Sequence, residues 1–204
     1  MENGENTRVN AHQPASEPRQ NPHGFWRGVR EWIQIIVIAL IISLPIRFFV
    51  AEPFVVNGAS MDPTFSTGQF LIVDRLTYRF NEPKRGDVVV FKYPNNPKVY
   101  YIKRVIGLPD ETIKIKDGEV TIINAEHPSG LELEESYVRP VHMSKETLSA
   151  TLKQGEYFVM GDNRAESSDS RIWGALDQSL ILGRPVVRLL PISALSFFPG
   201  QYHE

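Results

Sequence analysis

The sequence predicts a mainly β protein that carries one N-terminal transmembrane helix. An almost uninterrupted apolar run extends from Trp32 to Val50. After Glu52 the chain changes to short segments in which apolar and polar residues alternate, separated by Pro, Gly and Asn. Alternation with a period of two is typical of β-strands, and about 150 residues of this kind form one domain rather than two.

The chain is therefore expected to have three parts. Residues 1–24 are rich in Asn, Gln, Glu, Pro and Ser, and such a segment has too little to bury, so we expect a disordered cytoplasmic tail. Residues 25–51 are the predicted transmembrane anchor, and residues 52–204 are the predicted β-rich extracytoplasmic domain.

The apolar run is long enough to span a bilayer. A helix of about 20 residues crosses a hydrocarbon core of roughly 30 Å. Arg27 and Arg30 precede the run, which favours a cytoplasmic N-terminus. The strongly polar residues inside the run are Gln34, Ser43 and Arg47.

Two other interpretations of the run are weaker. A buried helix is disfavoured because a helix that is apolar on every face is hard to bury in one small domain. A cleavable signal peptide is disfavoured because the preceding region is unusually long and Phe49 and Ala51 form a poor cleavage site. The lipid bilayer is thus a predicted partner. The candidates for an apolar surface that rests on it are Phe48, Phe49, Phe54, Phe197 and Phe198, with core packing as the alternative for the last two.

The composition excludes several classes of function. The 204 residues include 22 basic and 24 acidic side chains, and the net charge of -2 does not favour nucleic acid as a partner. The chain has no cysteine, which excludes a disulfide framework, a thiol nucleophile and a cysteine-ligated metal site.

Six segments after Glu52 are predicted to contain strands. In one of them Asp117-Gly118 stands between alternating flanks and predicts a hairpin turn. Residues 144–153 are the only predicted helix of the domain, and Asn124–Ser136 is predicted to be an exposed insertion loop. The strand segments are FLIVDRL (70–76), GDVVVFKY (86–93), KVYYIKRVIG (98–107), TIKIKDGEVTII (112–123), EYFVMGD (156–162) and RPVVRLLPI (184–192).

A serine lies soon after the apolar run, in NGASMDPTF (57–65). Because an extended chain covers at most about 3.6 Å per residue, Ser60 lies within roughly 35 Å of the bilayer. A serine hydroxyl is a poor nucleophile unless a neighbouring base accepts its proton. None of the five histidines falls on a predicted strand, and His142 remains an alternative base.

Lysine is the other candidate base. In an alternating strand Lys103 shares a face with Val99, Tyr101 and Val105, which places its amine among apolar groups. An unperturbed lysine is neutral in only about one molecule in 2,500 at pH 7, but burial lowers the pKa by roughly 3 units or more. Lys103 is therefore a candidate general base, and a strand lysine whose amine reaches water is the alternative.

A third polar segment, GDNRAESSDSR (161–171), is dense in hydroxyls and charges. It does not match a calcium loop, because Arg164 stands where an oxygen ligand is needed and no glutamate closes the frame. A hydroxyl such as Ser167 is suited to orient a lysine amine, and an Asp169–Arg171 pair is suited to brace the loop.

The segments GASMDPTF, YYIKRVIGLP and GDNRAESSDSR, in this order behind an N-terminal anchor, resemble the bacterial type I signal peptidases, or leader peptidases. The resemblance extends from the anchor to about Trp173. It implies a large, mostly antiparallel β-sheet catalytic domain and a membrane-bound serine endopeptidase. Such an enzyme removes signal peptides from exported precursor proteins after small residues at positions -1 and -3. The resemblance implies no metal or other cofactor and leaves the oligomeric state open.

The resemblance also implies a role for each matching residue. Ser60 becomes the nucleophile, Lys103 the general base, and Ser167 a hydroxyl beside the lysine. The supporting residues are Met61, Gly161, Asp169 and Arg171, and the residues that line the shallow pockets for the -1 and -3 side chains are Phe54, Val56 and Ile102.

Three positions depart from the family pattern. Gly58 stands where many members have a hydroxyl that holds the oxyanion, so the oxyanion would rely on backbone N–H groups, notably that of Ser60. Ala165 replaces a common aspartate, and Asp110 replaces the second glycine of GLPGD. Two other functions remain: a self-cleaving serine–lysine repressor, which would carry a DNA-binding domain in place of the anchor, and a membrane-tethered β scaffold that only binds partners.

Overall fold

The computed structural model describes residues 22–45, 50–144 and 146–202. The chain divides into two compact units, residues 1–42 and 43–204. Helix α1 (Pro22–Pro45) covers most of the predicted anchor, whereas residues 1–21 of the predicted tail and 46–49 of the predicted anchor lie outside the described residues. Within those ranges, no helix has the length and apolar character that crossing a membrane requires.

The prediction of a mainly β domain is confirmed. Each of the six predicted segments contains at least one strand. Ala51, which the sequence assigns to the anchor, begins the first strand instead. The elements are β1 (Ala51–Val55), β2 (Phe70–Asp74), α2 (Thr77–Phe80), β3 (Val88–Tyr93), β4 (Asn96–Gly107), β5 (Thr112–Lys116), β6 (Glu119–Ile123), β7 (Leu131–Glu132), β8 (Leu148–Thr151), β9 (Glu156–Met160), α3 (Ser170–Trp173), β10 (Leu176–Asp177), β11 (Ile181–Leu190) and β12 (Ser196–Phe197).

The strands form two antiparallel sheets rather than one. The large sheet has the order β1-β2-β11-β3-β4-β9-β10, with β12 beside β11, and the small sheet has the order β7-β6-β5-β8. Apolar residues of both sheets share one buried cluster, in which Ile106 and Phe158 of the large sheet pack with Ile113 and Ile122 of the small sheet. The small sheet therefore covers one face of β4 and β9.

The helix predicted for residues 144–153 is wrong, because part of this segment forms β8. Strand β8 pairs with β5, with Ala150 opposite Ile113. Leu148 and Ala150 pack against the shared core, whereas Ser149 and Thr151 are exposed. This pairing outweighs the local preference for helix, as tertiary contacts often do.

Two turns depend on residues with positive φ angles. Asp117 (φ 53°) and Gly118 (φ 92°) close the β5–β6 hairpin, so the predicted hairpin is confirmed. Asp110 has a φ of 65°, a conformation that glycine adopts most easily and that aspartate tolerates better than most other residues. The substitution in GLPDE is thus compatible with the same turn.

The C-terminal phenylalanines are at the surface. Phe197 is 73% exposed and Phe198 is 47% exposed, so the alternative that they are core residues is wrong. Phe54, on β1, is half-buried.

The shared core predicts a clear difference between two isoleucines. We expect Ile122→Ala to lower the free energy of unfolding by about 2–5 kcal/mol, because the side chain is fully buried and its truncation leaves a cavity. Ile192→Ala makes the same change at a residue that is 79% exposed and should alter it by less than about 0.5 kcal/mol. Urea denaturation measures both, and equal losses would contradict this assignment of the core.

Candidate active site

The loop between β1 and β2 carries Ser60. Two backbone hydrogen bonds of 2.9 Å join the two ends of this loop: the N–H of Val56 donates to Gln69 O, and the N–H of Gly68 donates to Val56 O. Met61 is only 1% exposed and packs in an apolar cluster with Phe65. Met61 therefore fixes the loop while the neighbouring Ser60 stays partly accessible.

Strand β4 brings Lys103 to this loop. Lys103 Nζ lies 2.7 Å from Ser60 Oγ and donates to the carbonyl oxygen of Ile102 at 2.9 Å. The amine also lies 5.2 Å from the centre of the Tyr101 ring. Lys103 is only 3% exposed, which excludes the alternative of a lysine whose amine reaches bulk water.

Burial lowers the pKa of Lys103 from 10.5 to about 8. The carboxylates of Asp169 and Asp162 act in the opposite direction, and Arg171 adds to the lowering. At pH 7 a group with this pKa is neutral in about one molecule in ten. The neutral amine is thus common enough to act as a base.

The hydrogen bonds of the amine fit this role. A neutral amine has two N–H donors and one lone pair. With one N–H directed at the Ile102 carbonyl, the lone pair is able to accept the proton of the Ser60 hydroxyl. The pair is therefore arranged for proton transfer from Ser60 to Lys103.

The loop after β9 is braced as the sequence indicates. Asp169 and Arg171 form an ion pair through two hydrogen bonds of 2.8 Å. Asp169 also accepts from the N–H of Gly161 at 3.0 Å and caps helix α3. Burial raises the pKa of the Asp169 carboxyl, but the hydrogen bonds and charge of Arg171 outweigh it and hold the pKa below its usual value.

Gly161 lies where the two loops meet. A Cβ at this position would lie 2.3 Å from both Ser60 O and Ser167 Oγ, closer than real Cβ contacts. The N–H of Asn163 donates to Ser60 O at 3.1 Å. Glycine at position 161 thus allows the loop of Ser60 to approach the end of β9.

The structure does not join Ser167 to Lys103. Ser167 is buried beside Gly161, and its hydroxyl lowers the pKa of Asp169. Its Oγ nevertheless makes no hydrogen bond of good geometry among the described residues. A buried hydroxyl without a partner retains hydrogen-bonding capacity.

Sequence reasoning missed a second buried ion pair beside the site. Arg104 Nε and Nη2 donate to the two oxygens of Asp162 at 2.8 and 2.7 Å, and both side chains are only 1% exposed. Thr64, from the Ser60 loop, also donates to Asp162. The signal was present in the sequence: an arginine inside a strand of apolar residues requires a buried counterion.

The backbone N–H of Ser60 is free to donate to an oxyanion. The N–H of Gly58 donates to Thr67 Oγ1 at 3.1 Å, whereas the N–H of Ser60 has no acceptor within residues 50–144 and 146–202. Gly58 has a φ of 97°, which would strain a residue with a side chain. The glycine at this family departure is therefore required by the local backbone.

A cleft beside Ser60 contains all three predicted pocket residues. Phe54 and Val56 come from β1 and its end, and Ile102 comes from β4. The rings of Phe54 and Tyr100 meet edge to face with centroids 5.4 Å apart. The other lining residues are Val55, Asn57, Ser60, Leu71, Val90, Tyr101 and Lys103.

His142 is not placed as the base. Its Nε2 lies 3.7 Å from Asp62 Oδ2, and its Nδ1 is buried without a hydrogen-bond partner in the described part of the chain. The same part of the chain contains no group of three His, Cys, Asp or Glu residues that could hold a metal ion.

Comparison with known proteins identifies the family. A family model described as "Signal peptidase, peptidase S26" matches residues 29–190. A "Probable signal peptidase I-1" from a Synechocystis species is 37% identical over 176 residues, which cover 82% of this chain and 86% of that protein. "Signal peptidase I T" from Bacillus subtilis is 39% identical over 150 residues, which cover 69% of this chain and 74% of that protein. A crystal structure of a signal peptidase I from Enterococcus faecalis is 31% identical, covers 51% of this chain and 97% of that chain, and has a TM-score of 0.43.

The matched region includes the loop of Ser60, the strand of Lys103 and the loop of Asp169. On this match the protein belongs to the signal peptidase family, peptidase S26, whose members are serine endopeptidases.

Proposed function

We propose that the protein removes N-terminal signal peptides from exported precursor proteins, cutting after small residues at positions -1 and -3. Ser60 is the nucleophile and Lys103 is the general base. The observation that carries this proposal is the distance of 2.7 Å between the buried Lys103 amine and the Ser60 hydroxyl. Precursor proteins that carry a signal peptide are therefore the proposed partners.

In the first half of the proposed reaction, neutral Lys103 accepts the Ser60 proton while Ser60 Oγ attacks the scissile carbonyl carbon. The backbone N–H of Ser60 donates to the oxyanion that forms. The protonated Lys103 then gives its proton to the departing amine, and an acyl-enzyme on Ser60 remains. In the second half, Lys103 removes a proton from water, which attacks the acyl group and restores the serine.

The proposed substrate lies extended between two strand edges. Among residues 50–144 and 146–202, strand β1 is the edge of the large sheet. In the same ranges β9 pairs with β4 only from Arg104 onwards, so the preceding residues of β4 also present a free edge. Backbone groups on these edges can pair with an added peptide strand. Phe54, Val56 and Ile102 then limit the depth of the pockets, which favours small side chains.

The remaining predicted residues have supporting roles in this proposal. Met61 anchors the nucleophile loop, and Gly161 permits its close approach. Asp169 and Arg171 hold the backbone at Gly161 through their ion pair. The unused hydroxyl of Ser167 orients the lysine amine when substrate is bound.

We also propose that the segment 25–51 anchors the enzyme in the cell membrane in a single pass, with a cytoplasmic tail and an extracytoplasmic catalytic domain. The support is the apolar run of the sequence and the two arginines before it. Within the described helix, side chains such as Ile36 and Ile41 are more than half exposed. A bilayer is a solvent in which such side chains are stable.

The alternatives differ in what they predict. Membership of the signal peptidase family argues against the hypothesis of a self-cleaving repressor. The described residues contain no observation that favours that hypothesis. The hypothesis of a binding scaffold does not explain why a buried amine lies beside a hydroxyl. It predicts that the wild-type protein cuts no precursor.

The proposed dyad predicts the effect of two substitutions. Ser60→Ala and Lys103→Met should each abolish cleavage of a secretory precursor in detergent, because one removes the nucleophile and the other removes the base. Lys103→Met should also raise the free energy of unfolding at pH 7, since it removes a desolvated amine while keeping most of its volume. Cleavage is followed by gel electrophoresis and unfolding by urea.

The difference in unfolding free energy between Lys103→Met and wild type should shrink from pH 8 to pH 10. The wild-type protein gains stability as pH rises through this range, because the unfolded lysine still binds a proton that the folded lysine has lost. Full cleavage activity in either variant would refute the assignment of the dyad.

The lowered pKa of Lys103 predicts the pH dependence of the reaction. The value of kcat/KM should rise about tenfold per pH unit below pH 7 and level off above a midpoint near pH 8, because only the neutral amine is a base. Steady-state assays between pH 6 and pH 10 measure this profile. A midpoint at 10.5 or a flat profile would show that another group is the base.

The proposed anchor predicts how the protein fractionates. Wild-type protein in membranes should resist extraction at alkaline pH, whereas Ile38→Arg/Ile41→Arg should be released, because each arginine costs about 3 kcal/mol at the centre of a bilayer. Phe80→Arg replaces an exposed residue of the β-rich unit and should stay with the membrane fraction. Release of the wild type would argue against the anchor.

A further inference from the structure

A short segment that follows strand β7 of the small sheet contacts the loop after β9, which lies beside the candidate active site. Residues 133–138, which we call the strap, follow β7. Residues 133–136 belong to the region predicted as an exposed insertion loop. The backbone N–H of Leu133 donates to Val120 O at 2.9 Å, which fixes one end of the strap to β6. The prediction of exposure is wrong for Glu135, whose side chain is only 11% exposed. Tyr137 packs against the shared core.

Glu135 is the counterion of a buried arginine in the loop after β9. Arg164 Nη1 and Nη2 donate to the two oxygens of Glu135 at 2.8 and 2.5 Å. The Arg164 side chain is only 3% exposed. Burial lowers the pKa of Arg164, but its hydrogen bonds and charge pairing with Glu135 outweigh this effect and raise the pKa.

Tyr137 connects the same glutamate to the second buried arginine. Its hydroxyl donates to Glu135 Oε1 at 2.9 Å, and its ring lies 4.1 Å from the guanidinium carbon of Arg104. Burial raises the pKa of Tyr137, so the hydroxyl stays a donor at neutral pH. Arg104 in turn holds both oxygens of Asp162.

The two arginines hold the backbone that contacts Ser60. Arg164 Nε donates to Gly161 O at 3.0 Å, and the N–H of Asn163 donates to Ser60 O at 3.1 Å. The two loops approach each other so closely at Gly161 that a Cβ there would clash with Ser60 O and Ser167 Oγ. A shift of residues 161–163 therefore moves Ser60 relative to Lys103.

We propose that Glu135 and Tyr137 are positioning residues for the reaction, acting through Arg164 and Arg104 on the distance between Ser60 and Lys103. Neither residue makes a described hydrogen bond to Ser60 or Lys103, so neither is a catalytic residue. The inference rests on the proposed roles of Ser60 and Lys103. It assigns to the strap a function that its sequence, a polar loop rich in glutamate, does not reveal.

The test compares Glu135→Gln and Tyr137→Phe with the control Glu132→Gln, which removes the same charge from an exposed residue of β7. Precursor cleavage is measured in detergent, and the fraction of competent enzyme is counted with an acylating inhibitor of the serine. We expect kcat per competent enzyme to fall about tenfold or more for Glu135→Gln, because small displacements of reacting groups cost large factors in rate. Tyr137→Phe should lose about threefold, since it removes one hydrogen bond and keeps the ring. KM should change less than about twofold, and the control should match the wild type.

A paired variant separates positioning from stability. Glu135→Leu/Arg164→Met removes both buried charges, so the protein should fold even if Glu135→Gln does not. Positioning predicts a folded enzyme whose kcat is still reduced about tenfold, whereas a purely structural ion pair predicts recovery of the wild-type kcat. Glu135→Asp, which keeps the charge but shortens the side chain, should give an intermediate kcat.

The outcomes distinguish this inference from the proposed function. Cleavage that depends on Ser60 and Lys103, combined with a wild-type kcat in Glu135→Gln or in the paired variant, overturns the role of the strap alone. Cleavage that survives Ser60→Ala overturns the proposed function, whatever the strap variants do.

Discussion

The arrangement of the second unit depends on one buried amine. Lys103 has lost most of its contact with water. The net fall of its pKa from 10.5 to about 8, in which burial outweighs the nearby carboxylates, corresponds to a cost of about 3 kcal/mol at neutral pH. The surrounding fold must absorb this cost. Burial of the apolar clusters on both faces of β4 and beneath the Ser60 loop offsets this cost.

Strand geometry places the side chains of Lys103 and Arg104 on opposite faces of β4. Successive side chains of a strand point to opposite faces, so Lys103 meets Ser60 while Arg104 meets Asp162 on the other side. Arg104 is fully paired and makes further hydrogen bonds to the carbonyls of Gly86 and Gly200. Arg104 is thus paired with a buried carboxylate, whereas Lys103 makes no ion pair with any carboxylate in the described part of the chain. The lack of a close counterion favours a lowered lysine pKa.

The sequence predicts the convergence of Ser60 and Lys103 because a motif of fixed residue types marks each of them. It does not predict the ion pair of Glu135 with Arg164, because the two residues are 29 positions apart and only the fold brings the strap to the loop. Strand β8 is missed for a related reason: its state is set by pairing with β5 rather than by its own residues. For Ser167 the motif predicts a hydroxyl beside the lysine. The residue lies in a loop near the site, but its hydroxyl makes no hydrogen bond to the Lys103 amine.

The open edge of β1 has a consequence for the behaviour of the protein in concentrated solution. Among the described residues β1 has a strand neighbour on one side only, and such an edge invites pairing with any extended chain, including another copy of itself. Pro53 removes one backbone donor from this strand, and Glu52 places a charge beside it. Both features are known to discourage indefinite strand stacking. The edge of β1 is therefore able to pair with one short extended peptide, whereas stacking of many copies of the protein is disfavoured.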